Sequence, residues 1–121
     1  KPGGAKNFCI VDAAMNDLVR PAMYEAWMAI VACTLRDAPL RTWDVVGPVC
    51  ESGDWLGRDR QLAIQPGDRV AVLSAGAYAM SMASNYNSRG RAAEVMVSAS
   101  DARLIREREH PHELFRGEHL L

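Results

Sequence analysis

A cysteine and a carboxylate stand side by side at Cys50 and Glu51, in a segment at residues 47–54 that reads GPVCESGD. Glycine and proline punctuate this segment, which is typical of a loop that presents side chains instead of packing them. An ordinary thiol, with a pKa of about 8.5, is mostly protonated at neutral pH and can therefore act as an acid. The adjacent carboxylate can bind an ammonium group through charge-assisted hydrogen bonds. The segment is thus a candidate for proton donation beside a cationic ligand group.

Arg20 and Tyr24 form a second candidate pair. Pro21 disfavours a helical conformation at Arg20 and suits the first position of a helix, so Arg20 should lie at the helix entrance. Tyr24 follows about one helical turn later, which lets the two side chains point the same way. The planar guanidinium group of arginine is suited to a carboxylate. The pair therefore predicts an anion-binding position.

Tyr78 lies in the sequence GAYA at residues 76–79, among small residues that allow a large ligand group to approach the backbone. Its phenolic proton is a neutral donor suited to an anion. Each candidate also has a purely structural interpretation. Cys50 can be a small buried apolar residue, Glu51 a solvated loop acid, and Arg20 a surface charge, while Tyr24 and Tyr78 can be core residues.

The composition is that of one ordinary globular domain. The chain has 121 residues and a net charge of −1, with acidic and basic residues interspersed. It therefore lacks the basic surface expected for binding nucleic acid or an anionic membrane. No apolar run approaches the ~20 residues needed to span a bilayer, and no signal-peptide pattern opens the sequence.

The three cysteines, Cys9, Cys33 and Cys50, are odd in number and widely spaced. This argues against a disulfide framework and against a zinc site with the usual paired spacing, so a reducing cytoplasm is the expected setting. Cys9 and Cys33 lie in apolar runs and are expected to pack as small apolar residues. The three histidines lie in a charged C-terminal tail and predict no metal site.

Short strands are the main elements predicted to position the candidate residues. A helix is predicted from Pro21 through Met28, and a last short helix at residues 111–115. Many short strands separated by turns predict a β-sandwich or barrel. The predicted strands are residues 7–13, 29–34, 43–49, 61–64, 69–74, 93–99 and 102–108.

The order and spacing of these features resemble the C-terminal part of the diaminopimelate decarboxylases, pyridoxal-phosphate (PLP) enzymes of the alanine-racemase-like fold type. Besides residues 47–54, the resemblance is carried by FCIVDAAMNDLVRPAMY at residues 8–24, AGAYAMSMASNYN at 75–87 and RGRAAEV at 89–95. It extends over nearly the whole chain. It implies a mainly β, sandwich- or barrel-like C-terminal domain with one or two short helices, in agreement with the strand pattern.

The resemblance also implies a domain organisation. Residues 1–121 would form the single C-terminal β domain of a two-domain decarboxylase, whose N-terminal (β/α)8 barrel supplies the lysine and the glycine-rich loops that hold PLP. Lys1 and Lys6, the two lysines here, lie at the extreme N-terminus, a poor position for a buried catalytic amine. We therefore expect a fragment that lacks the barrel and is inactive alone.

The resemblance assigns a role to each candidate residue in the conversion of meso-2,6-diaminopimelate to L-lysine and CO2. Cys50 would deliver a proton to the α-carbon after CO2 leaves, acting across a homodimer interface in the partner's active site. Glu51 would bind the distal ammonium group, and Arg20 with Tyr24 the distal carboxylate. Tyr78 would bind the PLP phosphate and lie near the substrate.

Three alternatives remain open from the sequence. A decarboxylase of another basic amino acid or polyamine precursor is disfavoured by Arg20, and by Glu51, because in the related ornithine and arginine decarboxylases an aspartate follows the cysteine. A racemase of the same fold type would leave residues 50–54 without a purpose. A non-catalytic regulatory homologue is opposed only by the retention of Cys50 and Tyr78.

Overall fold

The computed structural model describes residues 1–121 and consists mainly of short strands. The strands are β1 (Phe8–Ile10), β2 (Ile30–Ala32), β3 (Arg41–Val46), β4 (Trp55–Leu62), β5 (Val70–Val72), β6 (Glu94–Ser98) and β7 (Asp101–Arg106). Two short α-helices, α1 (Arg20–Tyr24) and α2 (Gly76–Met82), and 3-10 turns at Tyr86–Ser88 and Pro111–Phe115 complete the chain. The predicted fold class, mainly β with one or two short helices, is confirmed. Neither α-helix has the length and apolar character needed to cross a membrane.

The strands form three small sheets. In the first, β3 lies between β1, which is parallel to it, and β4, which is antiparallel. The second pairs β2 with β5 and the third pairs β6 with β7, both antiparallel. The β6–β7 hairpin leaves Val95, Val97 and Leu104 more than half exposed.

One small hydrophobic core joins the first two sheets and the segment before α1. Ala79 of α2 and Ala75, the residue before this helix, pack against the core, so the core also fixes the helix that carries Tyr78. Within the core, the Trp43 indole nitrogen donates to the Leu62 carbonyl at 3.1 Å, which satisfies its polar group. The buried members are Leu18, Ile30, Trp43, Val45, Leu56 and Leu62.

Helix α1 begins at Arg20, one residue before the predicted start at Pro21, and is shorter than predicted. Pro21 occupies its first turn, as expected from its fixed φ. Glu25 then adopts a left-handed conformation with φ 54°, which ends the helix at Tyr24 instead of Met28. Arg20 and Tyr24 are therefore the first and last residues of a single helical turn.

Strand β4 is longer than predicted, because only its end at residues 61–64 had a strand-like sequence. Its centre contains Asp59 in a left-handed conformation with φ 55°, and its backbone N–H donates to Asp44 Oδ1 at 2.9 Å. Arg60 is then turned inward, where its guanidinium group lies 4.6 Å from the Trp27 ring. Desolvation lowers the pKa of Arg60. This irregular pairing hides the alternation on which strand prediction depends.

Candidate functional site

A turn at residues 14–17 connects the parts of the chain that carry the candidate residues. The Asp17 carboxylate closes this turn by accepting from the Ala14 N–H at 2.9 Å. Helix α1, with Arg20 and Tyr24, follows directly. Asn16 makes two hydrogen bonds with Ser84, just after α2: the Ser84 N–H donates to the Asn16 carbonyl at 3.0 Å, and Asn16 Nδ2 donates to the Ser84 carbonyl at 3.3 Å. The turn therefore fixes α2 relative to α1.

The same turn holds the Cys50 loop, defined as residues 47–54. The buried Asp54 carboxylate accepts from the Met15 N–H at 2.7 Å and from the Val49 N–H at 2.9 Å. Gly47 is required here, because a Cβ at this position would lie 2.3 Å from Asp54 Oδ2. Asp54 therefore orders the loop through the backbone of residues 15 and 49.

Replacing Asp54 with alanine is expected to lower the free energy of unfolding by about 2 to 4 kcal/mol, because two backbone N–H groups lose their acceptor. Chemical denaturation of the full-length protein that carries this chain measures the loss. Asp37→Ala is the matched control, since Asp37 is exposed. Equal stabilities of the two variants would show that Asp54 does not hold the loop.

Cys50 and Glu51 are both exposed on this loop. The Cys50 thiol is unpaired. The Glu51 carboxylate is held by two neutral donors, the Gly53 N–H at 3.1 Å and the Tyr86 hydroxyl at 3.0 Å. These bonds lower the pKa of Glu51, the Gly53 N–H more than the Tyr86 hydroxyl, and so favour the charged form of the carboxylate.

Arg20, Tyr24 and Tyr78 lie close together. The sequence predicted that the side chains of Arg20 and Tyr24 point the same way, but it did not predict that Tyr78 joins them. The Arg20 guanidinium carbon lies 4.8 Å from the centre of the Tyr78 ring and 5.8 Å from that of Tyr24. A cation between two aromatic rings is attracted to their faces and is held in a narrow range of positions. Both tyrosine rings are about half exposed, so the cluster opens to the surface.

The Tyr86 loop, defined as residues 85–91, supplies the group that bonds Glu51. A carboxylate from the chain end, Glu109, holds it: Oε2 accepts from Asn85 Nδ2 at 2.7 Å and from the Arg91 N–H at 2.8 Å. Glu109 Oε1 accepts from Arg91 Nη1 at 2.8 Å. On the other side, Arg89 Nε donates to the buried Asn16 at 3.0 Å. The loop is thereby fixed to the same turn as α1, α2 and the Cys50 loop.

This network predicts an acid-sensitive loop. The Arg91 N–H, then the side chains of Asn85 and Arg91, lower the pKa of Glu109 from 4.5 to about 2. A carboxylate with a depressed folded-state pKa stabilises the fold above its unfolded pKa, and this contribution is lost as the pH falls from 4.5 to about 2. We therefore expect the unfolding temperature to fall less steeply across this window in Glu109→Gln than in the unmodified protein.

Thermal melts of the full-length protein at several pH values between 2 and 7 measure this slope. Glu118→Gln is the control, because the Glu118 side chain is exposed near the same chain end. Asp68, whose pKa is also about 2, is unchanged in both variants and does not affect the comparison. Identical slopes in Glu109→Gln and the unmodified protein would contradict the prediction.

The two candidate clusters are joined by one short stretch of chain. Residues 78–86 contact Arg20 at one end, through Tyr78, and Glu51 at the other, through Tyr86. Four of the five candidate residues are exposed, and Arg20 is half-buried. A cavity of about 950 Å³ lies elsewhere, between β1 and residues 62–70, and none of the five lines it. The constellation is therefore an open surface that needs a covering partner to enclose a ligand.

Sequence reasoning did not identify the bond between Tyr86 and Glu51 or the support from Arg89 and Glu109. The bond to Glu51 spans 35 residues, and no local pattern reports such a contact. The only sequence signal was the polar motif SNYN at residues 84–87, directly after the segment that contains Tyr78.

Comparisons with known proteins identify the family to which this chain is similar. The family model "Pyridoxal-dependent decarboxylase, C-terminal sheet domain" matches residues 1–76, which include Arg20, Tyr24, Cys50 and Glu51. The diaminopimelate decarboxylase of Pseudomonas aeruginosa is 58% identical over 96% of this chain and 28% of its own length. The chain thus spans less than a third of that relative.

Solved structures give the same result. The diaminopimelate decarboxylase of M. jannaschii matches 100% of this chain and 28% of its own, with a TM-score of 0.94 and 40% identity. The diaminopimelate decarboxylase of Helicobacter pylori, complexed with L-lysine, matches 94% of this chain and 28% of its own, with a TM-score of 0.86 and 44% identity. The chain therefore belongs to the family of C-terminal sheet domains of pyridoxal-dependent decarboxylases.

Proposed function

We propose that residues 1–121 form the C-terminal domain of a PLP-dependent decarboxylase that converts meso-2,6-diaminopimelate to L-lysine and CO2. The observation that carries the substrate assignment is the stretch 78–86, which contacts an arginine and a glutamate at its two ends. The distal end of diaminopimelate carries a carboxylate and an ammonium group, which are the complementary charges. The similarity to named diaminopimelate decarboxylases supports the same assignment.

The residues of this chain fit one part of a PLP site. Tyr78 offers an exposed phenolic hydroxyl, a neutral donor that suits an anion such as the cofactor's phosphate. Lys6 is not available as a PLP-bearing amine, because it is paired with Asp44 at 2.7 Å. The cofactor would therefore be held mainly by a separate N-terminal barrel domain. When bound, PLP withdraws electrons from the α-carbon so that CO2 can leave.

Each residue of the constellation then has one task. Arg20, held between its tyrosine rings, binds the distal carboxylate, with Tyr24 at the same position. Glu51 binds the distal ammonium group, and this interaction orients the substrate for reaction at its other end. The exposed Cys50 thiol delivers the proton that the α-carbon needs after CO2 leaves.

The exposure of the constellation supports a homodimer with shared active sites. A water-filled surface weakens the charge interactions on which binding depends, so a covering surface is needed to exclude water. We propose that the partner subunit's barrel provides this surface and receives Cys50 from this domain. The three free cysteines support a cytoplasmic location.

The test is CO2 release by the full-length protein, supplied with PLP, on meso-diaminopimelate, ornithine, arginine and lysine in parallel. We expect a clear preference for diaminopimelate. Turnover of another substrate would refute the roles of Arg20 and Glu51, but the assignment of PLP as the cofactor would stand. No turnover, with PLP unbound, would favour a regulatory homologue. Sedimentation at several protein concentrations tests the dimer.

A further inference from the structure

Tyr86 is held in a strained and highly connected position. Asn87 and Ser88, which follow it, both have left-handed backbone conformations, with φ 59° and 55°. Residues other than glycine adopt this conformation at a cost, which surrounding contacts must offset. The bonds from Asn85 to Glu109 and from Arg89 to Asn16 provide these contacts on either side of Tyr86. The position of the Tyr86 hydroxyl is therefore determined by the fold of the loop.

The two donors to Glu51 act on different carboxylate oxygens. Gly53 N–H bonds Oε1 at 3.1 Å and the Tyr86 hydroxyl bonds Oε2 at 3.0 Å. A glutamate side chain has three rotatable bonds, and fixing both oxygens removes most of its conformational freedom before a ligand arrives. A carboxylate has about four acceptor positions, so two remain open.

Neither donor carries a charge. An arginine or lysine in the place of Tyr86 would neutralise Glu51 and compete with a cationic ligand. Tyr86 orients the carboxylate and leaves its negative charge available. The pKa of Tyr86 is raised by its bond to Glu51, so its hydroxyl remains a donor at neutral pH.

We propose that Tyr86 is a positioning residue that fixes Glu51 for the distal ammonium group and thereby increases selectivity for substrates that carry this group. This inference rests on the proposed function, since it requires Glu51 to bind the ammonium group. Tyr86 acts through Glu51 and need not touch the substrate itself.

The test compares two substrates in the full-length protein with PLP. One is meso-diaminopimelate, and the other is 2-aminopimelate, which keeps the distal carboxylate but lacks the distal ammonium group. Selectivity is the ratio of the two kcat/KM values, measured for the unmodified protein, Tyr86→Phe, Glu51→Gln and the double variant. We expect Tyr86→Phe to lower this ratio about three- to tenfold, through KM for diaminopimelate, with kcat little changed.

The other variants separate the possible failures. Glu51→Gln should lower the ratio further, and the double variant should be no less selective than Glu51→Gln alone, because Tyr86 acts only through Glu51. An unchanged ratio in Tyr86→Phe, with a lowered ratio in Glu51→Gln, would overturn the positioning role while keeping the proposed function. An unchanged ratio in Glu51→Gln would overturn both the positioning role of Tyr86 and the proposed role of Glu51 in binding the ammonium group. Equal losses on both substrates in Tyr86→Phe would show a merely structural role.

Discussion

Replacing Cys50 with alanine is expected to lower kcat of the full-length protein in the proposed decarboxylation about 10²- to 10⁴-fold, the usual contribution of a general acid. KM for meso-diaminopimelate should change little, because the thiol is not assigned to binding. The backbone of the Cys50 loop is held by Asp54, so the substitution removes the proton donor without releasing the loop. Initial rates of CO2 release over a range of substrate concentrations measure both constants.

Cys33→Ala is the matched control, since Cys33 is also free and exposed. Its kcat should remain within about twofold of the unmodified protein, as for most surface substitutions outside a site. Cys50→Ser should retain less activity than the unmodified protein, because a hydroxyl is a weaker acid than a thiol. An active Cys50→Ala variant would require another proton donor.

Local sequence signals predicted much of the fold. Pro21 marked the start of α1 to within one residue, because its fixed φ is a property of one residue. The glycines and proline of residues 47–54 correctly predicted a loop that exposes Cys50 and Glu51. Both inferences depend on neighbouring residues, which the sequence lists directly.

Features that depend on distant contacts were missed. Strand β4 is interrupted by the left-handed Asp59, whose N–H is bound by Asp44 from the neighbouring strand. Helix α2 was not placed, because its sequence begins with glycine and consists of small residues and methionine. Its Ala79 packs on the core, which supplies the stabilisation that local propensity does not indicate.

The candidate site shows the same division. The sequence alone indicated which ligand groups Arg20, Tyr24, Cys50 and Glu51 could bind or donate to, because this depends on residue type. That Tyr78 lies against Arg20, and Tyr86 against Glu51, follows from bonds that the turn at residues 14–17 makes with three separate segments. Such long-range pairs are set by topology, so they become visible only when the fold is known.

Replacing Arg20 with methionine is expected to raise KM for meso-diaminopimelate about 10²- to 10³-fold. Methionine preserves an unbranched apolar side chain near the two tyrosine rings but removes the cation. Two charge-assisted hydrogen bonds to a carboxylate, each contributing about 1.5 kcal/mol or more, account for a loss of this size. Steady-state kinetics of the full-length protein measure the change, with PLP occupancy checked by absorbance.

L-lysine provides the internal comparison, because it carries the distal ammonium group without the distal carboxylate. As the proposed product it should inhibit, and its inhibition constant should be nearly the same in Arg20→Met as in the unmodified protein. Arg58→Met is the matched control, since the Arg58 guanidinium also stacks on an aromatic ring, 4.0 Å from that of Trp55, but lies in β4. A parallel weakening of lysine and diaminopimelate would mean that Arg20 supports the site's general structure. A selective loss of diaminopimelate would identify Arg20 as the carboxylate-binding residue, because only that substrate presents the anion.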